Sequence, residues 1–144
     1  MSKNLTLRIV TQERELLEQE VISVTAMTEA GEVTILPGHI PLFSTLATGE
    51  LHYILPDKQE IDFVAVSGGF LDVGPDGVVT ILADHALRAG DIDEAAAEAA
   101  KLRAEEVMRD KGDQRSSQDF RMAEMELMRS INELSIARRR KGGR

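Results

Sequence analysis

The 144-residue chain contains no cysteine and no tryptophan. Without cysteine there are no disulfides, no thiolate metal sites and no cysteine nucleophile, which fits a reducing compartment. Four phenylalanines and one tyrosine are the only aromatic side chains, too few for a platform on which single-stranded nucleic acid stacks its bases. No stretch approaches the roughly 20 apolar residues that a membrane helix needs. The opening Met1-Ser2-Lys3-Asn4-Leu5 lacks the apolar centre of a signal peptide. The expectation is a chain soluble by itself, reaching a membrane only through a partner. Basic residues are scarce in the front segment: Met1 to Gly90 carries 13 acidic against 5 basic residues, while Asp91 to Arg144 carries 12 of each. The acidic front should repel nucleic acid and anionic lipid. The neutral back ends in Arg138-Arg139-Arg140-Lys141, a run suited to an acidic partner or to a solvated helix end favoured by the helix dipole.

Two hydrophobic periods divide what is present. Leu5, Leu7 and Ile9 alternate with Thr6 and Arg8; Ile22, Val24 and Ala26 with Ser23 and Thr25; Val33 and Ile35 with Glu32 and Thr34. Leu51, Tyr53 and Leu55 follow, then Ile61–Val66 and Val78–Leu82. Period two is the strand signal, and turn residues at Gly31, Pro37-Gly38, Thr48-Gly49, Pro56-Asp57, Gly68-Gly69 and Pro75-Asp76-Gly77 cut it at the spacing of a sandwich or barrel. Beyond Gly90, Asp91 and Glu94 have the spacing of a capping box ahead of an alanine-rich helix. Lys111-Gly112-Asp113 breaks that helix, Ser116 or Ser117 caps another, and Phe120, Ala123, Leu127, Ile131 and Leu134 form its apolar stripe. The expected architecture is an all-β N-terminal β-sandwich over residues 1–88, followed by a C-terminal antiparallel α-helical hairpin over 89–144. Such a hairpin has little core of its own.

Catalytic chemistry finds no support. His39, His52 and His85 lack metal-ligand spacing, so neither a metal nor a catalytic residue is expected. Ser67, Asp84 and His85 could be drawn as a triad, but there is no nucleophile elbow. Gly68-Gly69 lacks the Lys-Ser/Thr of a phosphate loop and precedes a strand, so a strand bend accounts for it. Met122, Met125 and Met128 suit either an adaptable binding surface or the filling of the hairpin seam. The stretch "GEVTILPGHIPLFSTLATGEL", Gly31 to Leu51, interrupts a β pattern with two prolines and a histidine. Proline belongs on sheet edges and bulges, so this stretch suggests a docking surface.

Together "GEVTILPGHIPL", "AVSGGFLDV", "VTILADHALRAGDID" and "AEMELMRSINEL" resemble the epsilon subunit of the F-type rotary ATP synthase along nearly the whole chain. That resemblance implies a β-sandwich and helical hairpin in a non-catalytic central-stalk subunit. It implies a gamma-subunit partner, a contact with the ring of membrane-embedded subunits, and a hairpin that meets the catalytic alpha and beta subunits and suppresses ATP hydrolysis. The expected setting is peripheral, on the cytoplasmic face of the bacterial plasma membrane. Glu32 falls at a position associated with the ring, with Glu29 and Gly31 nearby, and His39 at one associated with gamma, within the docking stretch that adds Pro37, Gly38, Pro41 and Leu42. Some bacterial relatives bind ATP through an aliphatic-Asp pair, two residues, then Arg-Ala. Here Ile92-Asp93-Glu94-Ala95 is followed by Ala96-Ala97, Leu87 stands for a glutamate and Glu133 for an arginine. Arg88, Ile92, Asp93, Arg103 and Arg129 remain, so the implied nucleotide site is weak and no cofactor is expected. Arg138, Arg139, Arg140 and Lys141 are the expected inhibitory tail. The rival from the residues alone is a small-molecule-binding β-sandwich with a helical dimerisation hairpin.

Overall fold

The structure, a computed structural model, describes residues 4–57, 60–109 and 117–142, with side chains described as far as residue 139. Eight strands come first: β1 Leu5–Val10, β2 Glu15–Val21, β3 Ser23–Thr28, β4 Gly31–Ile35, β5 Leu42–Thr45, β6 Gly49–Ile54, β7 Ile61–Val73 and β8 Val78–Arg88. A 3-10 turn at Ala89–Asp91 leads to α1, Glu94–Arg109, and α2, Ser117–Gly142. The fold class is the sandwich followed by a hairpin that the two periods imply. The chain divides into two compact units, Met1–Arg88 and Ala89–Arg144.

The strands run in the order β2-β1-β8-β7-β6-β3-β4, with β5 on β7 as well. β1 lies parallel to β8, and the other pairings among described strands are antiparallel. The long strands β7 and β8 serve both halves of the sandwich. The first part of β7 pairs with β6, Gly49↔Val66 through Ile54↔Ile61, and its last part with β5, Leu42↔Val73 through Thr45↔Phe70. Between them lie Gly68 and Gly69, with φ of 75° and 116°, a backbone region that side chains with a Cβ rarely adopt. A Cβ on Gly69 would run into the carbonyl of Leu82 on β8. The glycine pair is thus the bend that carries β7 from one half to the other.

Alternation fills the interior from both halves. Leu5, Leu7, Ile9, Val24, Ile35, Leu51, Val64, Leu71, Val79 and Ile81 belong to one buried cluster, and full burial of each such side chain contributes about 1.5–3 kcal/mol. β3 departs from the expected alternation. It begins at Ser23, leaving Ile22 in a bend, and buries Ser23 and Thr25 as well as Val24 and Ala26. The Thr25 hydroxyl survives burial because it shares a 3.0 Å hydrogen bond with the Thr34 hydroxyl across the β3–β4 pair.

The hairpin departs from expectation in three places. Asp93, not Asp91, caps α1: its carboxylate accepts from the Ala96 amide at 3.1 Å, while Asp91 ends the 3-10 turn. The proposed break at Lys111-Gly112-Asp113 and the Ser116 cap lie outside the described residues, whereas Ser117 opens α2. The apolar stripe of α2 also divides. Ala123 and Leu134 are buried together with Ser130 and Ala137, but Phe120 and Ile131 are exposed. A helix advances about 100° per residue, so Phe120 and Ile131 turn off the face that Ala123, Ser130, Leu134 and Ala137 share.

Candidate docking surfaces

β3 and β4 form a tight hairpin whose tip is Glu29-Ala30, with Thr28 and Gly31 as the closing pair. The Thr28 hydroxyl donates to the Gly31 carbonyl at 2.6 Å and accepts from the Ala30 amide at 3.1 Å, tying the tip to itself. The Glu29 amide donates to the Thr45 carbonyl at 2.9 Å, which anchors the tip to the end of β5. Glu29 and Glu32 both expose their side chains here, two carboxylates on a fixed turn.

β4 is the last strand in the order, and Pro37 follows its end closely. The Leu36–His39 turn closes with the His39 amide on the Leu36 carbonyl at 3.0 Å, and Gly38 supplies the φ of 89°. His39 Nδ1 donates to the Ile40 carbonyl at 2.6 Å, leaving Nε2 as the free side of the ring. Leu36 and Ile40 are exposed, Ile40 by 74%, and Pro41 is exposed beside it. Leu42, placed in the docking set from sequence, is half-buried and packs in part against the core. Alternation along β5 gives the outward position to Phe43.

Phe43 is part of a surface that sequence reasoning missed. Its ring stacks on Phe70 at 5.4 Å between centroids and 19° between planes, and Phe70 is the register partner of Leu82 on β8. Phe43 is 64% exposed, and Phe70 and Leu82 are exposed with it. Three strands therefore present adjoining large apolar side chains on the outside of one half of the sandwich. Contiguous exposed apolar surface of this kind marks an interaction site. The available signal was outward-facing positions occupied by Phe and Leu where alternation calls for polar residues, but the β5–β7 pairing that joins them is not visible in the sequence.

Of the residues proposed for nucleotide, two have partners within the hairpin. Asp93 caps α1 and Arg103 pairs with Glu126 on α2 at 3.5 Å. Arg129 is half-buried one turn beyond Glu126, and Ile92 is half-buried before α1. Arg88 ends β8, where its charge acts on Tyr53. Burial, and then the charge of Asp62 across the strand pair, push the Tyr53 hydroxyl up to about 12, against the opposing pull of Arg88.

In the basic run, Arg138 meets two carboxylates of α1: its Nη2 lies 3.1 Å from Glu98 and its Nε 3.7 Å from Glu94. Arg139 is exposed, and the side chains of Arg140 and Lys141 lie outside the described residues. Met122, Met125 and Met128 are exposed by 53–65% and do not fill the hairpin seam. No group of three metal-ligating side chains occurs among the described residues. Ser67 does face His85 in register, but its hydroxyl bonds to that of Thr48 at 3.1 Å, and Asp84, adjacent to His85 on the strand, points to the opposite face. Among the described residues no helix is long and apolar enough to cross a membrane.

Two family descriptions match the chain: "ATP synthase, Delta/Epsilon chain, beta-sandwich domain" over residues 4–89 and "ATP synthase, Delta/Epsilon chain, long alpha-helix domain" over 91–138. The ATP synthase epsilon chain of Herpetosiphon aurantiacus is 46% identical over 136 residues, covering 94% of this chain and 95% of that protein. That of Nitrosococcus oceani is 45% identical over 139 residues, 96% of each. A chain in the mitochondrial ATP synthase OSCP/F1/c-ring structure of Euglena gracilis shares the fold with a TM-score of 0.77 at 24% identity, covering 92% of this chain and 80% of that one. The chain belongs to the ATP synthase delta/epsilon family.

Proposed function

We propose that the chain is a non-catalytic central-stalk subunit of a proton-translocating F-type ATP synthase, which couples rotation to catalysis and restrains ATP hydrolysis through its hairpin. The observation that carries it is the outward apolar set Phe43, Phe70 and Leu82, continued along the chain by Ile40 and Leu36. A rigid sheet face of this kind fits a permanent protein partner, here the gamma subunit, with His39 and the proline-broken edge beside it. The exposed carboxylates Glu29 and Glu32 on the β3–β4 tip suit the contact with the membrane-embedded ring. The hairpin is the arm toward the catalytic alpha and beta subunits, on the cytoplasmic face of the bacterial plasma membrane. ATP is at most a weak regulatory ligand, because Asp93 and Arg103 already have partners in the hairpin.

Co-purification with gamma tests this. Replacing Phe43 and Phe70 by Asp, both at exposed positions, should abolish a stable complex while leaving the folded content of the isolated chain unchanged. Retention of gamma by that variant would overturn the assignment of the surface. Deleting Asp91 to Arg144 in the assembled enzyme should raise ATP hydrolysis and keep synthesis coupled; no rise would show that the hairpin is not an inhibitor.

A further inference from the structure

The seam between α1 and α2 is built from small side chains. Ala97 and Ala104 are the buried residues of α1, and α2 answers with Ala123, Ser130, Leu134 and Ala137. An alanine seam lets helices approach closely but removes little apolar area from water, so the stabilisation per residue is low. Ser130 donates to the Glu126 carbonyl of its own helix at 2.8 Å, so parting the helices would strand no hydroxyl. The large apolar side chains Phe120, Met122, Met125, Met128 and Ile131 already lie outside the seam on α2. With Leu134 the large apolar member of the seam set and the others small, less hydrophobic free energy separates a closed hairpin from an open one than in a leucine-rich seam, and the polar contacts across the seam weigh correspondingly more.

Two of the ion pairs between described residues lie together at one end. Arg138, in the last described turn of α2, places Nη2 3.1 Å from Glu98 and Nε 3.7 Å from Glu94, which stand one turn apart at the start of α1. One guanidinium thus holds two carboxylates on the other helix, and its planar fork suits that geometry better than an ammonium would. The second link, Arg103 to Glu126 at 3.5 Å, lies further along the seam. We infer that Arg138 is the latch of the hairpin: its ion pairs with Glu94 and Glu98 set the balance between closed and parted helices. In the sequence Arg138 is the first member of the basic run Arg138-Arg139-Arg140-Lys141. The latch deepens the proposed regulatory role of the hairpin and rests on that role only for its biological purpose.

The absence of cysteine makes the balance measurable. Ala104→Cys puts a single thiol at a seam position that is 1% exposed, so its alkylation rate in the full-length chain follows the population of parted hairpin, however small. Two exposed ion pairs predict that Arg138→Gln speeds alkylation roughly twofold to thirtyfold at low salt. Salt should speed the unsubstituted background towards the same rate, since exposed charges are screened over about 10 Å at 0.1 M, and should leave Arg138→Gln little changed. Arg138→Glu combined with Glu98→Arg, which reverses the pair, should recover slow labelling where Arg138→Glu alone does not. Helical circular dichroism at the labelling temperature distinguishes parting from melting; should Arg138→Glu melt, the glutamine variant and the salt series decide. An alkylation rate indifferent to both Arg138→Gln and salt would overturn the latch. Because alkylation uses the chain by itself, that failure is distinct from a hairpin deletion that fails to speed hydrolysis, which would overturn the regulatory role instead.

Discussion

Tyr53 is the only tyrosine of the chain, so the absorbance of its phenolate titrates one known site. The side chain is buried on β6, opposite Asp62 on β7, whose charge acts on its hydroxyl. Burial disfavours the phenolate, the Asp62 charge disfavours it further, and Arg88 only partly offsets both, so the group rises from 10.0 to about 12. The folded chain therefore holds the proton more tightly than the unfolded chain. The resulting stability is fully present below pH 10 and is lost as pH rises from 10 through about 12. The slope is about 1.4 kcal/mol per pH unit, so roughly 3 kcal/mol disappears across the window. Urea unfolding at pH 9 to 12, compared with Tyr53→Phe, isolates this loss, since the phenylalanine variant retains every other titration. Because burial is the largest cause, Asp62→Asn should lower the midpoint only partly. An absorbance midpoint near 10 in the folded chain would refute the reasoning, and a midpoint restored to 10 by Asp62→Asn would place the cause in the charge rather than in burial.

Three further expectations follow from particular contacts. Gly69→Ala should destabilise the sandwich by roughly 3 kcal/mol or more in urea unfolding, because the new methyl meets the Leu82 carbonyl at a φ where side chains are strained. Asp93→Ala should cost about 1 kcal/mol and reduce helicity at the start of α1, with Asp93→Ser retaining most of the stability, because the residue acts as a cap. Calorimetry on the full chain should find no ATP binding at micromolar affinity or tighter, since Ala96 stands where the motif's arginine would be and Asp93 and Arg103 are engaged elsewhere.

The sandwich and hairpin were legible because each rests on a local period: Leu5-x-Leu7-x-Ile9 needs no knowledge of distant residues to declare its face. The docking stretch was legible as chemistry, since Pro37 and Pro41 cannot support a central strand. Its inner and outer sides were not legible, because Leu42 and Phe43 are both apolar and only pairing with β7 decides which faces the core. The Phe43–Phe70 stack required two residues 27 positions apart to meet on neighbouring strands, information held in register rather than composition. The hairpin seam failed for a related reason. Phe120 and Ile131 fit a helical stripe as well as Ala123 does, yet α1 meets α2 with alanines, and close approach favours the small side chains. The role of Arg138 could not be read from the basic run until Glu94 and Glu98 were placed beside it.

The bend at Gly68-Gly69 has a mechanical consequence. The apolar set built on Phe43, Phe70 and Leu82 stands on β5, β7 and β8, while the acidic β3–β4 tip reaches β7 through β6 and is tied to the end of β5 by the Glu29 amide. A load entering at one surface and leaving at the other therefore travels along covalent backbone and its ladder of hydrogen bonds. Two separate sheets would have to pass the same load through side-chain packing, which can slide. Two glycines thus turn a stacked pair of layers into a single stiff strut.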